Sequence, residues 1–458
     1  MVWIAEPLDR PFARPIEQPD TRVSGRSAAI YGVSWDKSSN PTLTRTDDAV
    51  GMVANAGVGD EIVVNDFDSA EIYSEMTEVT DALGNVFIRI PRFYIRKMDG
   101  VGFKTWQISK QSHGAGWYLP WCFWDFANSR ALDYVDVGKY NASLDGSNRL
   151  ESKPDTYPLV NRTIVQFRDY ARANGAGYQQ LDIHVVDVLQ TLFYVEFATL
   201  NSQSIMAGFT TGRRNASDTA QVTEAAANRV VVTNATAAQF VVGQSIGLGT
   251  LLDGNQIFGY RTITAINDLG DGNSEIVFDG APVDVTAGNI VYSTGWKSGF
   301  SAGIAASSGS PVSNSSGKYP MVYRGIENVW GSVWQFVDGV NINDHQAWVA
   351  KDADDYASNL FAAPYEQLGY VNHNVNGYTV EMGHDPALPF AEFPIAVGGS
   401  DVTYYGDRYQ QATGQRIALF GGNWNYDSFA GLSLWNLNSA SGSTFVDVGG
   451  RLVRKEAA

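Results

Sequence analysis

Over residues 416–454 the chain reads RIALFGGNWNYDSFAGLSLWNLNSASGSTFVDVGGRLVR, two alternating apolar runs framing a stretch with no period. Ile417-Ala418-Leu419-Phe420 opens it, and Phe445-Val446-Asp447-Val448 closes it through Gly449-Gly450 into Arg451-Leu452-Val453. Alternation at period two marks a half-buried strand, so the frame predicts two strands. The interior is too rich in Asn, Ser and Gly for a helix or strand, which predicts a surface loop carried on a sheet. Its composition suits binding: flat aromatics supply contact area at low entropy cost, and Ser, Gly and Asn supply adaptable hydrogen bonds.

The binding face is expected at Asn425, Tyr426, Asp427, Phe429, Leu432, Leu434, Asn436 and Phe445. Phe429, Leu432 and Leu434 fit neither period with their neighbours, and an exposed apolar patch is the usual mark of an interaction site. Core packing of all three is the alternative. Gly421, Gly422, Trp424, Gly431 and Gly449 are expected to fix the loop. Upstream, residues 324–341 read RGIENVWGSVWQFVDGVN, where Trp330 and Trp334 stand four apart in a Gly-punctuated apolar segment, a pattern that points to packing.

Together the two segments resemble the major tropism determinant family of phage tail-fibre proteins, which retroelements diversify in some phages. Gly421-Gly422-x-Trp424, Ser428-x-Ala430-Gly431, Trp435, Asn438-x-Ala440-Ser441-x-Ser443 and Gly449-Gly450-Arg451-Leu452 carry the resemblance at the ligand-binding end. The upstream segment is similar to the family's R-G-x-E-N-x-W-G-N-x-W-x-x-x-D-G, with Ser332 in the place of the second Asn, and more distantly to formylglycine-generating enzymes. The resemblance implies an α+β, C-type-lectin-like receptor-binding domain over residues 97–215 and 298–458. It further implies a homotrimeric tail tip on the virion, recognising a host-surface protein or glycan without a cofactor.

Elsewhere the chain punctuates short alternating runs with turns. Residues 1–29 hold Pro7, Pro11, Pro15 and Pro19, which bar regular helix and predict an extended arm able to dock on other tail proteins. Gln18-Pro19-Asp20 in that arm matches a calcium tripeptide of animal lectins by coincidence. Residues 30–96 read as a β-rich region. Residues 116–124, GWYLPWCFW, form the densest aromatic cluster, expected to pack. A helix is predicted from Val165 to Ala173, stopped by Asn174-Gly175, and another from Ile183 to Leu200 capped by Asp182, with His184 and Glu196 as satisfied buried groups. Residues 216–297 shift to Val, Ile, Thr and Gly in short runs, predicting a small inserted β-barrel or sandwich.

Bulk properties narrow the function. At 458 residues two or three domains are expected, and 18% charged residues beside 46 glycines favour turn-rich β structure. A net charge of −17 argues against a nucleic-acid partner, because phosphate binding needs a positive field. No stretch nears 18 consecutive apolar residues, so no membrane insertion is expected, and the first residues lack a signal peptide's regions, which fits assembly in a host cytoplasm. Cys122 is the single cysteine, which leaves no internal disulfide and none of the cysteine pair that formylglycine chemistry requires. Asp352, Asp354 and Asp355 read as a solvated turn or weak cation site. No hydrolase motif occurs, so no enzyme is expected. A structural tail subunit and a polysaccharide depolymerase stand as alternatives.

Overall fold

Two helices pack against the sheets, and each is bounded by residues the sequence places there. In the computed structural model, which describes residues 27–455, α1 spans Ile164–Arg172 and α2 spans Ile183–Phe197. Thr163 and Gln166 close a reciprocal capping box on α1. Asp182 caps α2, its Oδ1 accepting from Val185 N at 2.9 Å. Every residue of α2 is buried, as a helix apolar on all sides must be. It ends at Phe197, three residues before the expected Leu200, with Ala198 as a left-handed C-cap and Leu200 buried beyond it.

The expected α+β class is corrected. The fold is dominated by sheets, with 37% strand against 11% helix and three α-helices among the described residues. That class came with the resemblance to a C-type-lectin-like domain, and α2 is the longest helix among the described residues. Its apolar residues fill the space between sheets, and the rest of the chain forms short strands whose many glycines provide the turns.

A five-stranded antiparallel sheet has the order Thr44–Asp47, Ile30–Trp35, Phe103–Ser109, Tyr94–Gly100, Trp117–Tyr118. A second has the order Tyr178–Gln180, Leu452–Lys455, Tyr134–Gly138, Val86–Pro91, Thr77–Thr80, which brings the C-terminal strand beside the N-terminal third. The expected boundary after residue 96 is therefore corrected. It falls inside strand Tyr94–Gly100, and one hydrophobic core runs from Tyr31 through α2 to Val453. The expected arm at residues 1–29 lies outside the described residues, except for its last three.

The largest sheet carries the 416–454 stretch. Its order is Glu366–Gln367, Gln346–Val349, Trp334–Asn343, Gln415–Phe420, Trp435–Ser439, Arg408–Gln411, Gly377–Met382, Pro394–Val397, with Val448–Gly449 joined in parallel to Trp334 and Gln335. Phe420, Trp435, Leu437 and Tyr409 face the α2 core, whereas Trp334, Phe336, Ile417 and Leu419 face a second cluster beneath α1.

Between Glu224 and Ser293 the strands pair only with one another among the described residues, around their own cluster of Val230, Ile246, Ile263, Ile276 and Val291. The short α3, Asn234–Ala237, lies on this unit. Entry and exit meet where Ser293 N donates to Arg213 O at 2.8 Å and Arg213 N donates to Ser293 Oγ at 2.6 Å. The unit is stitched to the main body by the stacked rings of Tyr157 and Tyr260 and by the Tyr157–Thr262 hydroxyl bond of 2.8 Å.

Candidate functional site

The loop leaving strand Gln415–Phe420 turns at once. Gly421, at φ 87°, accepts a geometry in which a Cβ would lie 3.0 Å from Val329 O, so only glycine lets the chain cross the Trp330 segment there. Trp424 then drops into a pocket of Phe209, Trp296 and Val333, its backbone N–H donating to Ser332 O at 3.0 Å while its carbonyl accepts from Gly212 N. Trp330 packs edge-on to Phe193 of α2 and donates Nε1–H to Met206 O at 3.0 Å. Trp334, Gly422 and Gly449 are likewise buried.

The motif's polar residues form the frame behind the loop. Arg324 lies with Glu196 in a buried ion pair of 2.6 Å, to which Asn65 Nδ2 adds a bond of 2.8 Å. Arg451, 1% exposed, donates to Gln335 Oε1, Gly138 O, Glu327 O and Asn328 O, tying both segments of the resemblance together. Glu327 accepts from Gly299 N and Ser301 N. His184 donates from Nε2 to Ala350 O at 3.0 Å, and burial holds its imidazole down at about 4, so it is neutral at physiological pH.

Of the residues expected on the binding face, Leu432 and Leu434 are corrected to core, both at 0% exposure, and Asn436 is 7% exposed. The reason is α2. Gln190 Nε2 donates to Leu432 O at 2.8 Å, Tyr194 OH and Ser433 Oγ share a bond of 2.6 Å, and Ser202 Oγ accepts from Leu432 N at 2.9 Å. This half of the loop is clamped onto the helix and runs into strand Trp435–Ser439, which corrects the expectation that the interior of the stretch holds no strand.

The other half is displayed. Asp427 is exposed, and Asn425, Tyr426 and Phe429 are half-buried. Gln203 Nε2 holds the turn from behind, donating to Asp427 O and Ala430 O. Tyr426 stands edge-on to Trp334 at 4.7 Å and to Phe429 at 6.0 Å. Burial pushes its phenol up to about 12, which keeps the hydroxyl neutral. Phe445, 37% exposed, sits apart from this turn in the chain, its carbonyl accepting from Asn161 N at 2.9 Å.

Three residues that the sequence reading did not single out complete the surface. Tyr378 meets Phe429 edge-on at 5.6 Å, and its OH shares a bond of 3.1 Å with Ser428 Oγ. The Arg408 guanidinium lies 4.4 Å from the Phe429 ring centre. Gln410 Oε1 accepts from Asn436 Nδ2 at 3.0 Å. Alternation at Arg408-Tyr409-Gln410, with Tyr409 buried, could have signalled that Arg408 and Gln410 face out. The parallel pairing with Trp435–Ser439 that brings them beside Phe429 has no local signature.

The assembled surface has one guanidinium, the Asp427 carboxylate, several amides and hydroxyls, and three aromatic rings on a fixed frame. It offers contact area and hydrogen bonds. No protein-family model and no curated protein matches the chain.

Proposed function

We propose that this chain is a receptor-binding protein of the phage tail-tip type, recognising a host-surface protein or glycan through the face formed by Tyr378, Arg408, Gln410, Asn425, Tyr426 and Phe429. The observation that carries the reading is a half-buried aromatic and amide surface on a loop clamped from behind by α2 and Gln203. Rigid backing lets such a loop change its outward side chains without losing its shape, and pre-organisation lowers the entropy cost of binding. The resemblance at residues 324–341 and 416–454 supports the same reading, and with it a homotrimer on the virion whose arm meets other tail proteins. Three copies of a weak site would gain by avidity.

The test is binding of the labelled chain to intact bacteria across a strain panel. Phe429→Ala should weaken saturable binding by about 2 kcal/mol, roughly thirty-fold, with the melting temperature nearly unchanged. Phe429 is a cleaner probe than Tyr426, whose ring also packs on Trp334. Loss of fold together with binding would instead make the loop core and favour a structural tail subunit. A degenerate copy of the DNA for residues 423–446, differing at adenines and lying beside a reverse transcriptase, would strengthen the reading independently.

A further inference from the structure

At the opposite side of the largest sheet, three segments close around a cleft of about 240 Å³. One is the ribbon that begins at Trp124, a second is the turn after α1 at residues 175–179, and the third is the Asp352–Asp354 turn that follows strand Gln346–Val349. Trp124 and Phe126 supply aromatic surface, and both are half-buried. Trp121 braces them from behind, 5.2 Å from Phe126 and edge-on to Trp124 at 6.2 Å. The dense aromatic run in the sequence is thus partly a wall, and not wholly core.

The polar groups on the rim are close to charge balance. Asp125, Asp352 and Asp354 line the cleft with Arg172 and Lys455. Asp125 is already engaged by Asn128 N at 3.1 Å, Asn128 Nδ2 at 2.8 Å and Arg130 Nε at 3.2 Å. Setting Asp125 against Arg130 leaves two carboxylates facing two cations. Arg172 donates to Ala353 O at 2.7 Å and Lys455 to Trp121 O at 3.1 Å, so the cations also hold the walls. An ionic ligand would lose its hydration without a surplus of opposite charge to replace it. A neutral ligand with many hydroxyls would find carboxylate acceptors and guanidinium and ammonium donors on the rim. The volume falls below the roughly 300–1,000 Å³ of pockets for drug-sized molecules, which limits the occupant to about one ring.

The geometry points to a saccharide subsite in this cleft, taking one neutral hexopyranose with its C–H face on Trp124 and Phe126 and its hydroxyls on Asp352, Asp354 and Arg172. It is independent of the surface around Phe429. Strand Arg408–Gln411 lies four strand steps from Gln346–Val349 in the sheet, roughly 19 Å at about 4.8 Å per step.

The experiment is saturation-transfer NMR and calorimetry on the full chain with methyl glucopyranoside, galactopyranoside and mannopyranoside and their disaccharides. At least one should bind in the millimolar range. Trp124→Ala should weaken it by about tenfold or more, as loss of an interface anchor does, whereas Trp124→Phe should stay within about threefold. Asp354→Asn, at an exposed position, should weaken binding without touching the fold and decides the matter if Trp124→Ala does not fold. Phe429→Ala should leave this binding unchanged. The subsite is overturned if no sugar binds at tens of millimolar, or if Trp124→Ala and Asp354→Asn bind as the parent does. Equal loss in Phe429→Ala would also overturn it, by placing the sugar on the other surface.

Discussion

Gly431 stands at φ 147°, where a Cβ would lie 2.1 Å from Asp407 Oδ1, so backbone and carboxyl are packed together beneath the displayed turn. Gly431→Ala should therefore lower stability by about 3 kcal/mol through overpacking, readable in urea unfolding, and an unchanged midpoint would disprove the close approach. Asp407 itself is wholly buried, and Ser433 N donates to its Oδ2 at 2.6 Å. Burial pushes its carboxyl well above the usual range. The folded form therefore holds a proton that the unfolded chain releases near its ordinary pKa. Its contribution is fully present below the unfolded value and is lost as pH rises through the folded one. Asp407→Asn should accordingly show a smaller loss of stability than the parent as pH rises above the ordinary carboxylate range, measured by denaturant melts. An identical slope in the two proteins would rule Asp407 out as the source.

At the scale of elements, α2 does two jobs. It fills the core, and through Gln190 and Tyr194 it fixes the inner half of the loop, while the turn after it fixes the outer half through Gln203. The 216–297 segment differs in composition from its flanks, and the strands between Glu224 and Ser293 share sheets and an apolar cluster of their own. Its ends meet at Arg213 and Ser293, which makes it removable in principle. Replacing residues 216–291 by a short Gly-Ser linker should leave a folded remainder by circular dichroism. Its melting temperature should fall, because Tyr157 loses the Tyr260 stack and the Thr262 hydroxyl bond. Collapse of all secondary structure would show that the unit is needed for the rest to fold.

For the whole molecule, the resemblance to trimeric tail tips and the proposed display surface lead to one prediction about assembly. Cyclic closure puts identical faces on one side of a ring, so a homotrimer would present three Phe429 surfaces together. Light scattering at micromolar concentration should give three times the 49.8 kDa chain mass. A monomer there would remove avidity from the proposal and require a single site to carry the whole affinity.

The sequence by itself determined the local pieces. Period two gave the strands around residues 417–420, Asp182 and the apolar run gave α2, Asn174-Gly175 ended α1, and the Trp-Gly segments announced buried tryptophans at 330, 334 and 424. Each depends on a residue and neighbours within a few positions, so each is written in the local pattern. The tertiary structure alone decided which residues of the loop face out. Leu432 and Leu434 have the same local pattern as Phe429, yet the α2 core takes the first inward and the cluster under α1 the second, while the strands at 377–382 and 408–411 support the third. It also decided that the first third of the chain shares sheets with the last strand, and that Trp124 and Phe126 line a cleft with Asp352. Those outcomes rest on pairings between segments tens to hundreds of residues apart, whose free energy comes from burial and long-range hydrogen bonds that leave no periodic mark on either partner.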